Sequence, residues 1–304
     1  MELFGLTAQQ LVLMLIYLLL GYELFRFHII TSEGSRDLAA LLVKLVIPAI
    51  IINSFCVPFA VQKLADLAVS WLLAALLLAL AIGIAHILYP HAPLEHFSAA
   101  FSNAGFMGIP LVTAVLGSEA VLYAAPFVAL LNALQWTYGM DVIREKKTPL
   151  SLGRIFWNPP MVGIGVGLIL FVTGWGDAMP ALLGNALQGI CALNTPLAMM
   201  ILGVYLAKES PRTLFTDKKL YQVCAVRLLL VPVVSIAVLW ALPVRRDIAL
   251  AVLICAAAPV GANVAAYSQL LNKDYVYASK IVVFSTLFSL ICLPLIVIIG
   301  QMVL

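Results

Sequence analysis

Apolar stretches of about 20 residues alternate with short polar segments along the whole chain. A helix needs about 20 apolar residues to cross the hydrocarbon core of a bilayer, so each stretch is long enough to span a membrane. The pattern therefore predicts an all-α polytopic membrane protein with ten transmembrane helices. We place these helices at about 9–27, 35–57, 65–88, 96–117, 120–142, 151–174, 184–207, 219–242, 247–271 and 275–302.

The composition agrees with a membrane protein and excludes several other classes. Of the 304 residues, 64% are hydrophobic and only 10% are charged, and the mean hydropathy is +1.10. Soluble domains carry about 45–50% apolar and about 25% charged residues, so nucleic-acid binders, disordered proteins and disulfide-bonded secreted proteins are excluded. The five cysteines are isolated, and no HExxH, GxSxG or Walker A motif occurs. We therefore expect no enzyme activity, no metal and no cofactor.

The most charged run of the chain, Arg144-Glu145-Lys146-Lys147, separates two sets of five predicted helices. We therefore divide the chain into an N-terminal five-helix repeat at 1–143, a cytoplasmic basic linker at 144–150 and a C-terminal five-helix repeat at 151–304. An odd number of helices per repeat inserts the second repeat upside down relative to the first. Inverted repeats of this kind are characteristic of secondary transporters.

The distribution of lysine and arginine predicts the orientation in the membrane. Lys63, Arg245 and Arg246 lie on the face that holds both termini, whereas eleven lie on the opposite face and three lie within helices, which accounts for all 17. Because positive residues stay in the cytoplasm, both termini are predicted to lie outside a plasma membrane of the bacterial inner-membrane type. The eleven residues are Arg26, Arg36, Arg144, Lys146, Lys147, Arg154, Lys208, Arg212, Lys218, Lys219 and Lys273.

The fourth and ninth helices carry residues that interrupt a helix in the middle of the membrane. Gly105, Gly108 and Pro110 lie within six residues of the fourth, and Pro259 and Gly261 lie at matching positions of the ninth. Proline removes a backbone donor, and unpaired backbone groups cannot face lipid, so both helices must contact protein or line a wet cavity. Two broken helices in corresponding positions are typical of a transporter binding site, where helix N-termini attract a carboxylate. A pair of ordinary proline kinks is the alternative.

Three segments resemble a known family. They are Asn103 to Leu111 (NAGFMGIPL), Ala256 to Gly261 (AAAPVG) and Asn158-Pro159, and the family is that of the auxin efflux carriers. Its members include plant auxin exporters and bacterial carriers assigned to malate or malonate. The resemblance extends from Gly21 to Pro294. It implies a scaffold of helices 1, 2, 6 and 7 and a mobile transport domain of helices 3–5 and 8–10, in which helices 4 and 9 cross.

The resemblance also assigns residues to a substrate site. Asn103 matches the crossover asparagine that contacts substrate in plant members, and Pro259 matches the crossover proline of the ninth helix. Asn132 falls where plant members place a glutamine near the ligand, and Thr137 falls where they place a tyrosine. With the polar and helix-breaking residues nearby, the predicted substrate-binding set is Asn103, Gly105, Pro110, Asn132, Gln135, Thr137, Pro259, Gly261 and Asn263.

The chain departs from the plant members at two positions and in one loop. Ser102 replaces the crossover proline that precedes the asparagine. In the third helix the plant aspartate and lysine correspond to Asp66 and Ser70, so the lysine is lost. The long cytoplasmic loop of the plant exporters is reduced to the short basic linker. The loss of the lysine argues against auxin itself, and a malate-like substrate is favoured only by the resemblance.

Charges inside a bilayer are costly, so charged residues within the predicted helices need a separate explanation. These residues are Lys44, Arg227, Lys280 and Glu23. Lys44 lies about one turn from Pro48 and is either a contact for the anion or, as we favour, a lysine that reaches toward the cytoplasmic face. We expect Arg227 and Lys280 to reach the membrane surface or to pair with other groups. We expect Asp66 to be solvated at the membrane edge.

The sequence thus predicts a secondary carrier that moves a small malate-, malonate- or auxin-like anion across the plasma membrane by an elevator or rocking mechanism. A channel or a ligand-sensing receptor with the same crossover is the alternative, since it shares every sequence feature. The expected partners are the organic anion and the lipid bilayer. The resemblance adds a homodimer through the scaffold helices, although no sequence feature marks that interface. No acidic residue lies in the two interrupted segments, and whether H⁺ or Na⁺ drives transport is left open.

Overall fold

Helices form the fold in the computed structural model, which describes residues 2–145, 159–208 and 215–304. No β-strand occurs in these ranges, which agrees with the predicted all-α class. The basic linker after Glu145 and the Asn158 of the Asn158-Pro159 motif lie outside the described residues. The helices are α1 Glu2–Arg26, α2 Ser32–Ser54, α3 Val61–Leu88, α4 Pro93–Ala100, α5 Ala104–Leu116, α6 Ser118–Arg144, α7 Pro159–Val172, α8 Ala181–Lys208, α9 Lys218–Trp240, α10 Arg246–Ala257, α11 Asn263–Leu270 and α12 Tyr275–Val303.

Six helices of the described ranges are long and apolar enough to cross a membrane, namely α2, α3, α6, α8, α9 and α12. Helices α5 and α7 are apolar but shorter. The predicted helices at 96–117 and 247–271 are each divided by an extended segment, the first into α4 and α5 and the second into α10 and α11. The interruptions that glycine and proline predict are therefore present, whereas the count of ten membrane-spanning helices stays a prediction.

Three helices widen into a turn of the i→i+5 type just before a proline. Proline lacks an N–H group, and its ring clashes with the carbonyl four residues earlier. In all three helices that carbonyl belongs to the wide turn, where the extra residue makes room for the ring. The wide turns are Leu42–Val46 before Pro48, Ala104–Gly108 before Pro110 and Val226–Leu230 before Pro232.

Glycines bring two pairs of helices into close contact. Helix α1 packs along α8, where a side chain at Gly21 or Gly203 would overlap the backbone of the facing helix. Helix α2 packs along α7, where a side chain at Gly163 would lie 3.1 Å from the backbone of Pro48. Small residues allow this close approach between helices in a membrane. The two pairs contain the four segments that the resemblance assigns to the scaffold.

Asp66, near the start of α3, is buried and ion-paired, so the prediction that it is solvated at the membrane edge is wrong. Only 5% of its side chain is exposed, and its carboxylate contacts Nη1 of Arg245 at the start of α10. Arg245 also binds Asp247 at 2.5 Å, and this hydrogen bond raises the pKa of the guanidinium. Asp66 and Arg245 are 179 residues apart, so only the folded chain brings them together.

Helix α10 lies at the centre of the bundle. Every residue from Ile248 to Ala257 is buried, and the helix contacts α3, α5, α6, α9 and α12. Its C-terminal end leads directly into the extended segment that precedes α11. The interruption of the ninth predicted helix is therefore enclosed by protein, as an unpaired backbone in a membrane requires.

Candidate binding site at the crossover

Two extended segments cross each other. The first joins α4 to α5, and the second joins α10 to α11. The segments pair as two strands of an antiparallel sheet do. The N–H of Asn103 donates to the carbonyl of Pro259 at 2.7 Å, and the N–H of Gly261 donates to the carbonyl of Phe101 at 3.0 Å. Each segment thus satisfies backbone groups that the interruption of the other helix leaves free.

The crossing is close because Gly261 has no side chain. A Cβ at this position would lie 2.9 Å from the carbonyl of Ser102 and 3.0 Å from Nε2 of Gln135. On the other side, the N–H of Val260 donates to Oγ of Ser285 on α12 at 3.2 Å. The two segments are therefore held against α6 and α12 as well as against each other.

The N-terminal ends of α5 and α11 border a small cavity, which we call the crossover cavity. The first N–H groups of a helix have no acceptor within that helix, and they carry the positive end of the helix dipole. The cavity has a volume of about 20 Å³, enough for about one water molecule. It is lined by Val43, Ile47, Ser102, Asn103, Gly105, Phe106, Leu131, Asn132, Gln135, Gly261, Ala262 and Asn263.

The two asparagines of the crossover differ in their hydrogen bonds. Asn103 is 5% exposed, and its Nδ2 has no hydrogen-bond partner among the described residues. Nδ2 of Asn263 donates to Oε1 of Gln135 at 2.6 Å. A buried polar atom without a partner costs about 1–3 kcal/mol, so Asn103 holds a donor that a ligand would satisfy.

The structure brings most of the predicted site residues together, but not all of them. Thr137 is buried and donates to the carbonyl of Ala133 at 2.8 Å, and it does not line the crossover cavity. Lys44 is exposed on α2 and does not line the cavity either. The predicted residues that do line it are Asn103, Gly105, Asn132, Gln135, Gly261 and Asn263, while Pro259 supplies a carbonyl to the crossing.

A second cavity, which we call the large cavity, lies between α2, α5, α6 and α8. Its volume is about 320 Å³, which is in the range of small-molecule sites. The predicted site residue Pro110 lines it, and none of the described lining residues is charged. Its lining residues are Ile50, Asn53, Ile109, Pro110, Thr113, Ala114, Ser118, Val121, Gln188, Cys191, Ala192, Asn194 and Thr195.

Asn194 is a residue of the large cavity that sequence reasoning missed. It is 3% exposed, and neither Nδ2 nor Oδ1 has a hydrogen-bond partner among the described residues. It lies at a break in α8, because the regular helix stops at Ala192 and resumes at Asn194. The available signal was Asn194-Thr195-Pro196, since a polar pair before a proline in an apolar helix indicates a break.

Arg227 lies inside the bundle, so of the two predicted alternatives it pairs with other groups and does not reach the membrane surface. It is 1% exposed. Its Nε donates to the carbonyl of Ala258 at 3.1 Å, and Nη1 donates to those of Ala99 at 3.1 Å and Ala100 at 3.3 Å. Nη2 donates to the carbonyl of Ala256. These carbonyls lie at the C-terminal ends of α4 and α10, where the helix dipole is negative.

Two comparisons with known proteins bear on this arrangement. The model of the family described as membrane transport protein matches residues 7–297. An uncharacterized transporter from Methanothermobacter thermautotrophicus is similar over 300 residues at 24% identity, which covers 95% of this chain and 97% of that protein. Both matches therefore include the crossing segments and the helices that line the two cavities.

Proposed function

Because the chain belongs to the membrane transport protein family, we propose that it is a secondary carrier for a small organic acid anion. This is the family of the auxin efflux carriers, which the crossover motifs resemble. The observation that supports this proposal most strongly is the environment of Asn103. This residue holds an unpartnered amide donor beside the positive ends of two helices. A carboxylate is the group that such a site attracts.

In the proposed complex the N-terminal amides of α5 and α11 and the Nδ2 group of Asn103 bind the carboxylate. Gly105 and Gly261 let the backbone approach the ligand closely, since neither carries a side chain. Asn132 and Gln135 on α6 line the same cavity and contact the rest of the substrate. The positive helix ends supply the attraction, so the anion needs no lysine or arginine beside it.

Transport requires that the site open alternately to the two sides of the membrane. Helices α2, α5 and α6 line both cavities, with Val43 and Ile47 of α2 in the crossover cavity and Ile50 and Asn53 in the large cavity. The crossover cavity has little free volume, whereas the large cavity has room for a small molecule. We propose that α3–α6 and α9–α12 move as a transport domain against a scaffold of α1, α2, α7 and α8, which opens one cavity as the other closes.

The proposed carrier consists of two inverted five-helix repeats. Two features support this arrangement. The contacts of α1 with α8 and of α2 with α7 join helices 1 and 7 and helices 2 and 6, which are equivalent pairs if helices 1–5 superpose on 6–10. The same superposition exchanges the interrupted helices 4 and 9, so the crossing of these two helices is also consistent with it. With this topology, both termini lie outside and the basic linker lies inside the plasma membrane.

Counterflow in proteoliposomes tests the proposed function. Vesicles that contain the purified protein and unlabelled malate should accumulate external radiolabelled malate, because a carrier exchanges its substrate through one alternating site. The Asn103→Ala variant should lose most of this exchange. Asn185→Ala, which removes an exposed amide on α8, is the matched control and should exchange at the wild-type rate.

The same assay separates a carrier from a channel or a sensor. A channel lets labelled malate equilibrate without exchange, and a sensor binds malate without any flux. Malonate and indole-3-acetate as competitors report whether the site prefers small dicarboxylates or auxin-like acids. Malate exchange that is equal in Asn103→Ala and wild type would contradict the assignment of the carboxylate to the crossover.

A further inference from the structure

The large cavity combines a suitable size with hydrogen-bonding groups that carry no charge. Its 320 Å³ would hold a molecule of a few carbon atoms, and the described residues that line it are all apolar or neutral. Asn53, Thr113, Gln188 and Thr195 line it together with Asn194. Such a lining binds a neutral polar group, and because the cavity is partly open, a carboxylate of the same ligand keeps its contact with water and is not buried without a partner.

Asn194 is the residue that indicates a ligand. Its amide is buried, and both its donor and its acceptor lack partners among the described residues. Pro196 has no N–H to donate to the carbonyl of Ala192, which lines the same cavity. The break in α8 therefore places one free donor and two free acceptors around one wall of the cavity. A hydroxyl group, which donates one hydrogen bond and accepts others, matches this set.

We propose that the large cavity is a second ligand site, which binds the hydroxyl-bearing part of a small organic acid, and that Asn194 is its specificity-determining residue. This inference rests on the proposed function in that the ligand is an organic acid. It adds a site that is separate from the crossover cavity, because no described residue lines both cavities. A hydroxy acid binds here through its hydroxyl, while an acid without a hydroxyl leaves the Asn194 amide unpaired.

Malate and succinate are a matched pair for the first test, since they differ by one hydroxyl group. Calorimetry should show that the wild-type protein binds malate at least about tenfold more tightly than succinate, because a satisfied buried polar group is worth about 1.4 kcal/mol or more. Asn194→Leu should lose this preference and keep its succinate affinity. Equal loss of both acids, or an unchanged preference, would overturn the proposal.

Cys191 provides a second test that locates the ligand. It lines the large cavity, whereas the half-buried Cys292 on α12 does not. Malate should slow the alkylation of Cys191 by N-ethylmaleimide, read by mass spectrometry, without slowing that of Cys292. Asn194→Leu should remove this protection. Malate that binds the wild type and slows neither cysteine, or both equally, would place the ligand elsewhere.

The two tests separate the inference from the proposed function. If malate and succinate bind and exchange but Asn194 and Cys191 report no contact, the carrier assignment stands and the second site is wrong. If neither acid binds the wild-type protein, the organic acid assignment is wrong, and the second site for a hydroxy acid is wrong with it. The conservative variant Asn194→Gln retains an amide and should keep part of the malate preference, which excludes a purely structural effect.

Discussion

A side chain binds the backbone carbonyls at the C-terminal ends of α4 and α10, whereas the N-terminal ends of α5 and α11 border a cavity. At the C-terminal ends, the guanidinium of Arg227 donates to four backbone carbonyls and is buried. At the N-terminal ends, the Nδ2 donor of Asn103 has no partner among the described residues. The same two interruptions thus produce one satisfied set of helix ends and one set with an unused donor.

The comparison supports the proposal that the ligand of the crossover is an anion. Two helix C-termini carry about half a negative charge each, so one guanidinium neutralises both. Two helix N-termini carry a similar positive charge, and the described lining of the crossover cavity contains no carboxylate to neutralise it. The protein itself supplies the cation at the C-terminal ends, and in the proposed complex a ligand supplies the anion at the N-terminal ends.

The largest effect on stability is expected from removal of the guanidinium. Arg227→Met leaves four buried carbonyls without their donor, and breaking a buried charged contact of this kind costs about 3–5 kcal/mol. The melting temperature of the purified protein should fall strongly. Lys280→Met removes a half-buried cation on α12 and is the control. Equal melting temperatures for the two variants would show that the contacts of Arg227 with the two helix ends do not stabilise the fold.

A smaller loss is expected when the crossing itself is widened. In Gly261→Ala the new methyl group meets the carbonyl of Ser102 and Nε2 of Gln135, and overpacking of this kind costs about 1–3 kcal/mol. Thermal unfolding should show the loss. Gly184→Ala on α8 meets no atom within 4 Å and should be neutral or slightly stabilising. Equal thermal stability of Gly261→Ala and Gly184→Ala would show that the two segments do not cross as closely as described.

A still smaller coupling is expected between the two amides of the crossover. Asn263 and Gln135 share one hydrogen bond of 2.6 Å, which contributes about 1 kcal/mol to stability. A double-mutant cycle of Asn263→Ala and Gln135→Ala should therefore give an interaction free energy of about 1 kcal/mol. Additive effects of the two substitutions would show that the two side chains do not interact.

The smallest effect on stability is expected at Asn103, although we expect its effect on binding to be large. Its side-chain N–H group has no partner to lose among the described residues, and relief of this buried donor offsets the lost packing of the side chain, so Asn103→Ala should change the unfolding free energy by less than about 1 kcal/mol. The same thermal assay without ligand measures this change. A loss as large as that of Arg227→Met would mean that Asn103 serves the fold and not the ligand.

The broken helices were predictable because their cause is local. Glycine and proline act on the backbone within one turn, so Gly105, Pro110 and Pro259 locate the interruptions without any knowledge of the fold. Their matching positions in the two halves also predicted that the interruptions meet. The two extended segments pair at Ser102, three residues before Gly105, and at Val260, between Pro259 and Gly261.

The contacts of the buried charges were not predictable, because their partners are distant in the sequence. Arg227 binds the carbonyl of Ala99, which is 128 residues away, and its position along α9 only indicated a distance from the membrane surface. Asp66 was misinterpreted for the same reason. Asn194 gave only a local signal of a helix break, and its cavity is formed by four helices.

The most direct test of the account compares the thermal stabilisation of wild-type protein and Asn103→Ala by a series of mono- and dicarboxylates. A ligand at 100 times its dissociation constant adds about 2.7 kcal/mol to the stability of the state that binds it. The account predicts that an acid without a hydroxyl group, such as succinate, raises the melting temperature of the wild type and of Asn185→Ala, and that Asn103→Ala, which starts from nearly the same melting temperature, gains little. Equal stabilisation of Asn103→Ala and wild type by the same acid would contradict the claim that the anion binds at the crossover.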